Sequence, residues 1–132
     1  VAEIRQTPRL IYQPEMYRRL LNLKVSKSNA LEFCLGSIAE MEGSNVYRAV
    51  EQYAGDIAYI HFRNIKGRAP YYKEVFVDEG DIDMIRILNI LKQKDFNGVL
   101  IPDHTPLMSV AGGWYAGMAF ALGYMKAAMK LV

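Results

Sequence analysis

Apolar residues in this chain follow two periods in turn, and that alternation limits the fold more than any other feature of the sequence. Pro14 to Leu23 carries Met16, Tyr17, Leu20 and Leu21 on one helical face, with Pro14 suited to a first turn. Ala30 to Leu35 is a short strand-like run that stops at Gly36. Val46, Ala49, Val50 and Tyr53 return to helical spacing, with Asn45 in place as an N-cap. After Gly55-Asp56 comes a second strand-like run, Ile57 to Phe62. Gly67 to Asp81 is irregular, with a short extended stretch expected at Glu74 to Val77. Met84, Ile87, Leu88 and Leu91 mark the next helix, which Asn97-Gly98 ends. Val99 to Pro102 reads as a third strand, and Met118, Ala121, Leu122, Met125 and Met129 mark a last helix over Trp114 to Leu131.

A helix followed by three consecutive strand–helix units implies an α/β fold with a parallel sheet and helical crossovers. A doubly wound sheet normally has more strands than this, and a closed (β/α)8 TIM-type barrel has eight in about 250 residues. The chain, at 132 residues, is therefore either a minimal layered domain or part of a barrel. The leading helix has no strand before it, which favours the second choice. On that reading residues 1–132 form a single partial barrel domain, the C-terminal portion, with the N-terminal strands lying outside this sequence.

Composition removes several function classes. No apolar run reaches the roughly 18 to 20 residues of a spanning helix, so no membrane partner is expected. A net charge of +2 is too small to imply nucleic acid, and suits a small anionic substrate only weakly. The single cysteine, Cys34, excludes an internal disulfide framework, and the first residues lack a signal-peptide core. A cytoplasmic setting is the expectation. Gly-rich phosphate loops, His-Glu-x-x-His pairs and nucleophile elbows are absent.

Polar residues gather where each strand ends: Glu32 and Cys34 on the first, His61, Arg63 and Asn64 on the second, Asp103 and His104 on the third. Ligands of parallel α/β proteins bind outside those carboxyl ends. Strand parity puts Glu32 and Cys34 on one face, with Tyr59, His61 and Arg63, and with Ile101 and Asp103. Leu31, Phe33, Leu35 and Ala58, Ile60, Phe62 would face the helices. Thiolate, imidazole and carboxylate are all good ligands, so Cys34, His61 and Asp103 make a candidate divalent metal site. Each residue also has a plainer reading: Cys34 as a small core residue, His61 as a hydrogen-bonded strand end, and Asp103 and Asn64 as turn formers. Arg63 could pair with any surface carboxylate. The methionines of the last helix read as core filler, and Gly112-Gly113 as a flexible connection.

Four segments carry a resemblance. Leu31 to Ser37, His61-Phe62-Arg63-Asn64-Ile65-Lys66-Gly67, Phe76 to Met84 and Pro102-Asp103-His104 resemble, in that order, the C-terminal part of D-mannonate dehydratases. Those enzymes are barrels of the xylose-isomerase-like superfamily on the glucuronate breakdown route. The resemblance implies a lyase that converts D-mannonate to 2-keto-3-deoxy-D-gluconate and water. It implies Cys34, His61 and Asp103 as metal ligands, with Mn2+ the expected ion and Fe2+ or Co2+ as alternatives. The family's remaining ligand is a His in a His-Pro-Asp-Asp-Pro-Pro segment just before the part that matches Val1. The chain thus reads as roughly the last third of such an enzyme, inactive alone.

By the same resemblance His104 is the catalytic acid/base, Tyr115 the nearest match to the family's catalytic Tyr, and Arg63 and Asn64 bind substrate. Thr105 to Gly117 departs from the family's spacing, which leaves a related isomerase or epimerase open. A third reading, a non-catalytic half-barrel, has unpaired strand edges to cover. It expects a homo-oligomer or a complementing N-terminal part.

Overall fold

The computed structural model describes residues 2–4 and 6–132. Three strands, β3 (Leu31–Cys34), β4 (Ile57–His61) and β7 (Val99–Ile101), form one parallel sheet in the order β3-β4-β7. They are the three expected strands, and each is joined to the next by helices, as parallel neighbours require. Ahead of them lie a short antiparallel pair, β1 (Glu3–Ile4) with β2 (Thr7–Pro8), and helix α1 (Met16–Asn22). The remaining helices are α2 (Leu35–Glu40), α3 (Val46–Tyr53), α4 (Met84–Gln93) and α5 (Gly113–Ala128).

The helices cover one face of the sheet, where Phe33, Ile60 and Phe62 meet Val50, Tyr53 and Ile87 in the core. Asn45 caps α3 as expected, its Oδ1 accepting from Arg48 N at 3.1 Å, and Asp83 caps α4 the same way at 3.0 Å. Asn45→Ala is expected to lower stability by about 1 kcal/mol, measured as a shift in the urea midpoint. The opposite face carries Glu32, Tyr59 and His61 and is left largely open, with Val99 59% exposed at the β7 edge.

Parity fails at one point. Leu31 pairs with Ile57 but Glu32 pairs with Tyr59, so the register shifts by a residue there. Ile57 is therefore buried and Ala58 exposed, contrary to the expectation that Ala58 faces the helices. Leu35 likewise is not a strand residue; it is buried in the first turn of α2, a helix that no apolar period announces.

The segment read as irregular holds an antiparallel hairpin, β5 (Ile65–Arg68) with β6 (Tyr71–Glu74). The extended stretch thus ends at Glu74 and does not run on to Val77. Gly67 sits at φ +91°, and a Cβ there would lie 2.6 Å from Tyr71 O, so the hairpin needs glycine at this position. Arg68 Nη1 donates to Met41 O at 2.7 Å, tying the hairpin back to the end of α2. Among the described residues no helix is long and apolar enough to cross a membrane.

Candidate metal centre

Cys34 and His61 are the last residues of β3 and β4 and face each other across the ladder, while His61 pairs in turn with Ile101 at the end of β7. Asp103 follows Ile101 by one intervening residue and returns to the same face. The result is a cluster whose Cys Sγ, His nitrogen and Asp oxygen all lie within 4.8 Å of one another. A tetrahedral cation with bonds of about 2.0–2.3 Å wants its donors about 3.3–3.8 Å apart, so closing on an ion needs movements of no more than about 1.5 Å. A soft thiolate, a borderline imidazole and a hard carboxylate together suit a first-row divalent ion. The chemistry and spacing of the donors therefore fit such an ion.

Carboxylates surround the imidazoles. His61 Nδ1 lies 3.0 Å from Glu32 Oε1 and 3.6 Å from Asp103 Oδ2. Glu32 lies on the open face of β3 with Cys34, where an outer carboxylate can fix the ring of a metal-binding histidine. His104 stands half exposed at the mouth, with Nε2 3.4 Å from Asp103 Oδ2 and Nδ1 3.5 Å from Glu74 Oε1.

Arg63 and Asn64, expected as substrate contacts, are both buried and bonded within the chain. Arg63 is only 6% exposed, and its guanidinium is already held by two carboxylates. Nε donates to Glu74 Oε2 at 3.0 Å, Nη2 pairs with Glu74 Oε1, and Nη2 lies 2.8 Å from Glu40 Oε1. Nη1 lies 3.8 Å from Cys34 Sγ. Burial works against the charge, but the hydrogen bonds to Glu74 and Cys34 more than offset it, holding the guanidinium above its ordinary range. The fork expected to grip a substrate carboxylate is thus closed on Glu74.

Asn64 is 2% exposed, and its amide bonds four backbone groups of the Ile65, Val77 and Ile82 region. Those bonds tie Ile65 to the loop that follows the hairpin. Tyr115 stands 79% exposed on the first turn of α5, and among the described residues no hydrogen bond or ion pair joins it to the cluster. Glu40 and Glu74 are the site's unforeseen members, and no pattern in the sequence points to either; strand parity already puts Glu32 on the ligand face.

Comparison with known proteins agrees with the resemblance. The family model for D-mannonate dehydratase (UxuA) matches residues 3–129. The mannonate dehydratase of Oceanobacillus iheyensis is 32% identical over 103 residues, covering 74% of this chain and 29% of that protein. That of Lactococcus lactis subsp. cremoris is 35% identical over 104 residues, with the same coverage. The crystal structure of mannonate dehydratase from Streptococcus suis serotype 2 superposes with a TM-score of 0.83 at 28% identity, covering 96% of this chain and 39% of that one. The matched stretch thus spans less than a third of the length of the curated relatives. With a family match over nearly its whole length, the chain belongs to the D-mannonate dehydratase family.

Proposed function

We propose that this chain is the C-terminal part of a metal-dependent sugar-acid dehydratase acting on D-mannonate, its sheet being a portion of a (β/α)8 barrel. The observation that carries this reading is the convergence of Cys34, His61 and Asp103 at the ends of three adjacent parallel strands in a chain of this family. Those three residues would hold Mn2+, with Fe2+ or Co2+ as alternatives. When bound, the ion supplies positive charge that polarises substrate oxygens and stabilises the negative charge developed beside the carboxylate.

In the reaction a proton leaves C2, the C3 hydroxyl leaves as water, and the resulting enol becomes the 2-keto acid. His104 is the group we assign to proton transfer, being exposed at the mouth, with Glu74 beside Nδ1 to fix its ring. Arg63 and Asn64 act on the protein: one braces the ligand strands and the other braces the loop beyond the hairpin. No step is assigned to Tyr115.

The uncovered face and the free edges of β3 and β7 favour a covering partner. An N-terminal part of the same enzyme is the occupant we propose; a second copy of the chain is the alternative. Turnover of a sugar acid on the glucuronate route suits the cytoplasm. The test is to mix the chain with the N-terminal portion of a family enzyme, Mn2+ and D-mannonate, and to trap 2-keto acid with semicarbazide. Keto acid that depends on both parts and on metal is the expected result. Aldose–ketose interconversion without loss of water would favour an isomerase, and an assembled, metal-loaded pair that forms no keto acid would overturn the dehydratase reading.

A further inference from the structure

Arg63 is the most heavily constrained charged side chain near the cluster, and the constraints come from four residues on two elements, α2 and β6. Glu40 ends α2, Glu74 ends the hairpin, Tyr72 lies two residues before it with its ring centroid 5.7 Å from the guanidinium carbon, and Gly36 underlies the stem. A Cβ on Gly36 would come within 2.9 Å of Arg63 Cγ and Cδ, so the slot exists only because that position is glycine. Two carboxylates face one guanidinium, an arrangement that leaves Arg63 no charge to offer a substrate. Its remaining nitrogen, Nη1, faces the Cys34 sulfur at 3.8 Å, and Ser37 N donates to the same sulfur at 3.4 Å.

We propose that Glu74 is a positioning residue of this centre, clamping Arg63 so that Nη1 is held against the Cys34 sulfur and fixes the direction in which that sulfur meets a metal. The proposal rests on the metal-centre reading above. It also explains the hairpin, since β6 carries Tyr72 and Glu74 on one face toward Arg63 and leaves Lys73 exposed on the other. Outer partners of this kind typically change metal affinity by about 10- to 100-fold when removed.

The test titrates the full chain with Co2+ alone and reads affinity together with the near-ultraviolet sulfur-to-cobalt band at saturation. Glu74→Gln is expected to bind Co2+ about 10- to 100-fold more weakly and to move the band. Glu74→Asp recovers part of the affinity, and Lys73→Gln leaves both readings unchanged. Breaking a buried ion pair is itself destabilising, so Glu74→Gln risks unfolding. Arg63→Lys keeps a charge between the two carboxylates while giving up the planar fork, and decides the matter if the first variant does not fold. Loss of stability alone does not move the band of a saturated site. A folded Glu74→Gln or Arg63→Lys chain with unchanged affinity and band position would overturn the proposal. If the unsubstituted chain shows no sulfur band, or shows one that Cys34→Ser retains, the metal-centre reading itself fails and this proposal falls with it.

Discussion

Replacing Cys34 by serine is expected to weaken binding of Mn2+ or Co2+ by about 100-fold or more and to leave the chain folded. The magnitude follows from the apparent free energy of a four-ligand zinc site, about 10–16 kcal/mol, which is about 2.5–4 kcal/mol for each ligand. The neutral hydroxyl of serine is a poor substitute for a thiolate toward a first-row ion. Folding should survive because Cys34 also has a second role. It stands at the N-cap of α2, where its sulfur accepts from Ser37 N at 3.4 Å, and serine is among the preferred residues for that position. Cys34→Ala removes the acceptor as well, so it should lose the metal and about 1 kcal/mol of stability together. Calorimetric titration and urea denaturation on both variants separate the two effects. If Cys34 were only a small core residue, alanine would lower stability and Co2+ affinity would not change in either variant.

Elements held together by periodic apolar residues are legible in the sequence. Strands β3, β4 and β7 and helices α3 and α4 fall where the two periods put them, because their buried faces follow from chain geometry alone. The cluster of Cys34, His61 and Asp103 is legible for the same reason: parity fixes the face and strand polarity fixes the end. What the sequence hides lacks such a pattern. Hairpin β5–β6 is exposed along most of its length, so nothing apolar alternates in Lys66, Gly67 and Arg68 or in Tyr71, Tyr72 and Lys73. Helix α2 has six residues, too few to show a period.

The roles of Arg63 and Asn64 escape the sequence for a related reason. Both follow a strand that ends at a site, which makes a substrate contact the natural expectation. Their actual partners, Glu40, Glu74, Val77 and Ile82, come from segments whose approach depends on the hidden hairpin and on α2. In the structure both are bonded within the chain, which a contact to substrate would not require.

For Asn64 that difference has a large measurable consequence: Asn64→Ala is expected to destabilise the chain by about 3–5 kcal/mol. Nδ2 donates to Val77 O and Ile82 O, both at 2.9 Å, and Oδ1 accepts from Ile65 N at 3.0 Å and Ile82 N at 3.1 Å. Alanine strands these groups away from water, at about 1–3 kcal/mol for each one left unsatisfied, with partial relief from relaxation. At a slope of about 1–3 kcal/mol per molar urea, the midpoint should fall by about 1–5 M. Asn64→Asp should fare no better, since it loses both donors and buries a charge. Gly80 supplies an independent check, because a Cβ there would lie 2.0 Å from Asn64 Oδ1 and 2.6 Å from Ile65 O. Gly80→Ala should therefore be strongly destabilising by itself and less so beside Asn64→Ala, where the nearest clash is gone; a coupling of about 0.5–3 kcal/mol is expected. A substrate-facing Asn64 makes the opposite forecast: stability within about 0.5 kcal/mol of the unsubstituted chain, additive effects with Gly80→Ala, and a loss confined to substrate affinity in the complemented enzyme.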